Sequence, residues 1–155
     1  SIRFPVGYLY EDVATMYKTF MAAKKVAIVD ANLYAYRKRA DSIIRQPFNS
    51  KKMICVTIAE QMIADIAEYD RRLIYAAISR VYSMVYSVFL QVPRNDKEDM
   101  NKLWYWMKKY RKYVVKDSNK LVRRKNKWGA IVSYLGMYCS YYIGIMFGQR
   151  GTFKK

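Results

Sequence analysis

Histidine is absent from these 155 residues, and cysteine occurs only twice. The first absence removes the usual zinc ligand sets and every Ser–His or Cys–His nucleophile pair. Cys55 and Cys139 each stand alone in apolar surroundings, which suits a reducing compartment better than a disulfide-stapled secreted domain. Acids are scarce too: 12 Asp and Glu against 29 Lys and Arg, a formal net charge of +17. Such a balance asks for an anionic partner, whether nucleic acid, a phosphate-bearing substrate or membrane headgroups. No signal peptide opens the chain. It begins at Ser1 and not at Met, as expected of a piece cut from a longer protein.

What is abundant is apolar and aromatic. A hydrophobic fraction of 53% and 16 tyrosines exclude a disordered chain. The length suits one core, as a single domain or as part of a larger protein. Near the start, "GYLYEDVATMYKTF" places Glu11 and Asp12 where a helix should open. Asp12 can cap that helix, because its first N–H groups lack partners and carry the positive end of the dipole. Met16, Phe20 and Met21 give the helix a one-faced apolar stripe. Next, "VAIVD" and "LYAYR" flank the turn "AN" and predict two short strands. Two long helices are expected over about 50–92, the first striped by Met53, Val56, Met62, Ile63 and Ile66. The second is apolar nearly all round and ends before Pro93. Asn95, with Glu98 three residues on, predicts the cap of a further helix, whose one face carries Met100, Leu103, Trp104, Met107 and Tyr110. The class is therefore mainly α with a small β component, divided into a mixed region over 1–50 and a basic helical region over 51–155.

Charge is unevenly spread. From Lys102 to Lys127 there are eleven basic residues and one acid, Asp117, and then 22 uncharged residues from Trp128 to Gln149. That run is long enough to span a bilayer, but tyrosines, serines and glycines interrupt it. Two readings stay open: a buried C-terminal helix, or a segment embedded in an anionic membrane surface through 102–149. Gly136, Ser140, Gly144 and Gly148 recur every four residues and offer a flat face to another helix, including that of a second copy in a homodimer. Aromatic and basic residues interleave in "LWYWMKKYRKYVVK", which could stack bases. Core packing explains Trp104 and Tyr110 more cheaply, no nucleic-acid-binding signature is present, and no nucleic acid partner is expected.

Three pieces in order, "YEDVATMYK", "KKVAIVDANLYAYR" and "RKRADSI", resemble the later half of the catalytic domain of bacterial family 2 glycosyltransferases. These are the GT-A-fold enzymes of cell-surface polysaccharide synthesis. The resemblance covers about the first third of the chain. It implies the C-terminal half of a GT-A α/β nucleotide-diphospho-sugar transferase domain, followed by a helical extension. It also implies a role for Asp12 as general base, taking the proton of an acceptor sugar hydroxyl as its oxygen attacks the anomeric carbon, with inversion. Glu11 would bind the acceptor or support Asp12. Arg37, Arg39 and Ser42 would hold the diphosphate or the acceptor, arginine being suited to bidentate contact with phosphate oxygens. For the arginines, a solvated strand end remains the alternative.

The same resemblance implies a nucleotide-sugar donor and a divalent metal, Mg or Mn, stabilising the leaving diphosphate. The D-x-D motif that would hold the metal is missing; "DKED", from Asp96 to Asp99, has the wrong spacing. No metal site is therefore expected on this chain, and alone it should be inactive. The acceptor would be a saccharide or a lipid-linked sugar, and the location the cytoplasmic face of a bacterial membrane. A non-catalytic module that binds an anionic membrane surface, or RNA, is the rival.

Overall fold

Glu11 and Asp12 do open a helix, α1 (Glu11–Ala22), but neither caps it. In the computed structural model, which describes residues 1–35, 46–116 and 122–148, Tyr10 holds the cap position without a side-chain bond to the helix. Asp12 is the second residue of the first turn, where the dipole still favours a carboxylate. The docking face also differs from the expected stripe. Tyr10, Val13, Tyr17 and Met21, at helical spacing, pack towards the core, while Met16 and Phe20 are exposed.

The predicted strand "VAIVD" does not form, and the described part of "LYAYR", Leu33 to Ala35, is not a strand either; Tyr36 and Arg37 lie outside the described residues. Residues 23–35 run without regular structure, and Val26, Ile28, Val29, Leu33 and Tyr34 are all exposed. All regular structure among the described residues is helical. β-Branched residues favour extended backbone, but a strand also needs a neighbouring row of N–H and C=O groups, and a lone two-stranded ribbon is marginal in water. The mainly α expectation holds, and among the described residues no sheet supports an α/β domain.

The body is built from α2 (Ile54–Tyr69), α3 (Ile74–Phe89) and α4 (Lys97–Lys116). α3 is the central element, packed against both α2 and α4. Its Ala77, Ile78, Val81, Tyr82, Val85 and Phe89 are buried, as its all-round apolar character requires. A short 3-10 turn, Arg71–Leu73, joins α2 to α3; Asp70 opens it by accepting the Arg72 backbone N–H at 2.9 Å. At the start of α4 the cap is Asp96 and not Asn95. The Asp96 carboxylate accepts from the Asp99 N–H at 3.2 Å, and its carbonyl accepts from Met100. The buried stripe of α4 contains Met100, Leu103, Met107 and Tyr110 as expected, but the deeply buried tryptophan is Trp106. Trp104 is half-buried, its ring 5.9 Å from that of Phe89.

The 22-residue uncharged run is not one helix. It lies mostly in α5 (Arg124–Val132), a 3-10 turn and α6 (Met137–Gly148), with the break at Gly136, whose φ is 104°. Among the described residues no helix is long and apolar enough to cross a membrane. The small-residue face of α6 packs within the chain: Ser140 is buried, its carbonyl accepts the Tyr86 hydroxyl at 2.9 Å, and Gly144 sits against Tyr86 and Leu90 of the end of α3.

Candidate functional site

The acid pair stands at the mouth of a turn whose backbone is strained. Tyr10 has φ 63° and ψ 33°, the left-handed region, and is the one non-glycine with positive φ among the described residues. That conformation is costly for a bulky residue and persists only where its surroundings fix it. Here the Tyr10 ring packs on the core, and burial, with a smaller contribution from Cys55, pushes its hydroxyl pKa up to about 12. The residue after the strained one is Glu11.

Glu11 and Asp12 are exposed and have no hydrogen bond or ion pair among the described residues. Five other described acids, Glu60, Asp65, Asp70, Glu98 and Asp99, pair with a cation, while the exposed Asp30 and Glu68 are without a partner among the described residues, as Glu11 and Asp12 are. The helix that carries the free pair is nevertheless anchored. Tyr17, one turn and a half further on, donates its hydroxyl to Asp65 Oδ2 at 2.5 Å, and Gln61 donates to Oδ1 at 2.6 Å. Burial alone would raise the Asp65 carboxyl, but the bonds from Tyr17 and Gln61 and the charge of Lys18 outweigh it and hold the carboxyl below its ordinary pKa. The arrangement is two free carboxylates in the first turn of a docked helix, able to accept a proton or hydroxyl hydrogen bonds.

Arg37, Arg39 and Ser42 lie outside the described residues. No group of three His, Cys, Asp or Glu able to hold a metal exists among the described residues. Two adjacent carboxylates alone are too few donors for Mg or Mn, which prefer several oxygen ligands.

Other features escaped sequence reading because they join distant segments. Glu60 of α2 accepts from the Tyr110 hydroxyl at 2.7 Å and pairs with Lys109 at 3.2 Å, linking α2 to α4. Lys52 is buried, yet among the described residues its amine meets neutral acceptors alone, Gln46 O at 2.8 Å and Gln91 Oε1 at 2.6 Å. The neighbouring Lys51 is exposed, and nothing in the doublet "KK" says which one goes inside.

With this geometry in place, comparison with known proteins gives one informative likeness. The protein named Glycosyltransferase GlyG of Streptococcus pneumoniae is 38% identical over 49 residues. The matched stretch is 32% of this chain and 16% of that protein, so the likeness is confined to a small part of it. No known protein-family profile and no solved structure matches the chain. A general link to glycosyltransferases is supported.

Proposed function

We propose that this chain is the acceptor-side part of an inverting, family 2, GT-A-type glycosyltransferase, with Asp12 as its general base. The observation that carries the reading is the unpaired acid pair at the start of an anchored helix, beside the strained Tyr10. In the reaction the acceptor O–H proton passes to the Asp12 carboxylate. The acceptor oxygen bonds to the anomeric carbon, and the bond from that carbon to the donor phosphate breaks, releasing a nucleoside diphosphate. Glu11 holds the acceptor or supports Asp12, while Arg37, Arg39 and Ser42 bind the diphosphate or the acceptor. A carboxylate placed in this way contributes ~10²–10⁴-fold in rate. The rest of the nucleotide-sugar and the Mg or Mn ion would be held by protein outside this chain, and no step above depends on the ion.

The unpaired segment supports the same reading. A run without regular structure whose Val26, Ile28, Val29, Leu33 and Tyr34 are exposed is suited to joining the sheet of a larger catalytic domain, where both its faces would be covered. The acceptor would be a saccharide or lipid-linked sugar at the cytoplasmic face of a bacterial membrane. The test is sugar transfer from a panel of UDP- and GDP-sugars by the natural protein that contains this chain. Transfer to a saccharide acceptor, with release of nucleoside diphosphate, supports the proposal. Absence of transfer and of donor hydrolysis across the panel argues against it.

A further inference from the structure

A hollow of about 410 Å³ opens between the second half of α2, the start of α3 and the second half of α4. Ile63, Ile74 and Ile78 form its apolar lining, Tyr113 stands at its side, and Lys109 and Lys112 reach its rim. Tyr75 and Tyr113 extend the aromatic wall, their rings 6.2 Å apart. The volume is that of a small-ligand site. Isoleucine side chains make no hydrogen bonds, so a free sugar or phosphate would gain nothing from this floor.

The rim has the opposite character. Glu60 neutralises Lys109 at 3.2 Å. Lys112 has no carboxylate partner among the described residues; its amine lies 4.9 Å from the Tyr113 ring centroid. Lys108 and Lys116, on the same exposed side of α4, are likewise without a carboxylate partner among the described residues. An uncompensated lysine row beside an apolar hollow matches a ligand with an anionic head and a hydrocarbon tail. We infer that this hollow binds an anionic phospholipid, with an acyl chain against Ile63, Ile74 and Ile78 and the phosphate at Lys112. Attachment is from the surface, since no described helix is able to cross the bilayer. This inference stands apart from the transferase reading and uses none of its residues.

The experiment titrates the full chain with dihexanoyl-phosphatidylglycerol below its micellar concentration, following isoleucine methyl signals. Dihexanoyl-phosphatidylcholine and inorganic phosphate serve as separate arms. The phosphatidylglycerol should bind saturably and shift the Ile63 and Ile74 methyls, and Lys112→Glu, an exposed change that leaves the core intact, should weaken it about thirtyfold, one reversed charge counting as two. Equal binding of the zwitterionic phosphatidylcholine, an unchanged affinity in Lys112→Glu, or no saturable binding would overturn the inference. So would binding of inorganic phosphate with equal affinity and no methyl shift, which would mark a simple surface anion site.

Discussion

The Tyr17 hydroxyl reaches Asp65 Oδ2 at 2.5 Å across 48 residues of sequence, and this bond fastens the helix bearing Glu11 and Asp12 to α2. Tyr17→Phe keeps the buried ring and removes only the bond. It should cost about 2 kcal/mol, the range for a hydrogen bond to a charged group. The loss should appear as faster amide exchange across α1 with little change in α3 or α4. Uniform exchange throughout the chain would show that α1 is not separately anchored.

The same pair sets a pH window for the docking of α1. The folded Asp65 carboxyl titrates below its ordinary value, so its contribution is present above the unfolded pKa of about 3.9 and is lost as pH falls through the folded value. Burial first, and then the bond to Asp65, raise the Tyr17 hydroxyl, so that contribution is present below about pH 10 and is lost as pH rises through the folded value. Exchange protection of α1 measured from pH 3 to 7 should fall at the acid end, and Asp65→Asn should flatten that profile.

Much of the helical body was legible in the sequence. Met62, Ile63 and Ile66, or Leu103, Met107 and Tyr110, recur at helical spacing, and that spacing is itself the packing rule. The errors have physical causes. On α1, Tyr10, Val13 and Tyr17 do the docking together with Met21, so of the expected stripe of Met16, Phe20 and Met21 only the last faces the core. "VAIVD" has strand chemistry, but no local rule supplies a partner strand. Asn95 and Asp96 are both good caps, and only the turn from Pro93 decides between them. In the candidate site, the place of Glu11 and Asp12 at a helix start was readable. Their freedom from partners was not, nor was the strain at Tyr10, because both depend on the surrounding fold. Buried Lys52 and the lysine-rimmed hollow depend on contacts between segments far apart in the chain.

Gly144 is a packing position. A Cβ there would lie 2.5 Å from Leu90 Cδ2 and 2.6 Å from the Tyr86 hydroxyl, whose bond to the Ser140 carbonyl limits its retreat. Gly144→Ala should destabilise by about 1–3 kcal/mol, read as a lower denaturation midpoint with an unchanged slope. Gly136→Ala meets no crowding and should lose stability through backbone strain alone, because its φ of 104° suits only glycine. Adding Leu90→Ala should rescue the first variant in part and leave the second unaffected.

Lys52 stands beside the C-terminal end of α3, where Gln91 accepts from its amine and donates to the Ser87 carbonyl at 2.8 Å. A cation is favoured there by the helix dipole. Burial nevertheless holds the amine below its ordinary pKa. The folded state thus disfavours the charged amine, and stability rises as pH climbs from the folded pKa towards the unfolded value of about 10.4. Wild-type protein should gain stability relative to Lys52→Met between pH 7 and 10. A constant difference across that range would remove the burial argument.

Asp12→Asn offers the most direct test of the central claim. The change keeps the size of the side chain and its place in the first turn of α1 and removes the proton acceptor. Sugar transfer should be measured in the natural protein containing this chain, with circular dichroism confirming the fold and Glu11→Gln made in parallel. A fall in kcat of ~10²–10⁴-fold is expected for Asp12→Asn, and a smaller effect, mainly on acceptor KM, for Glu11→Gln. A folded Asp12→Asn enzyme with kcat near wild type would contradict the claim.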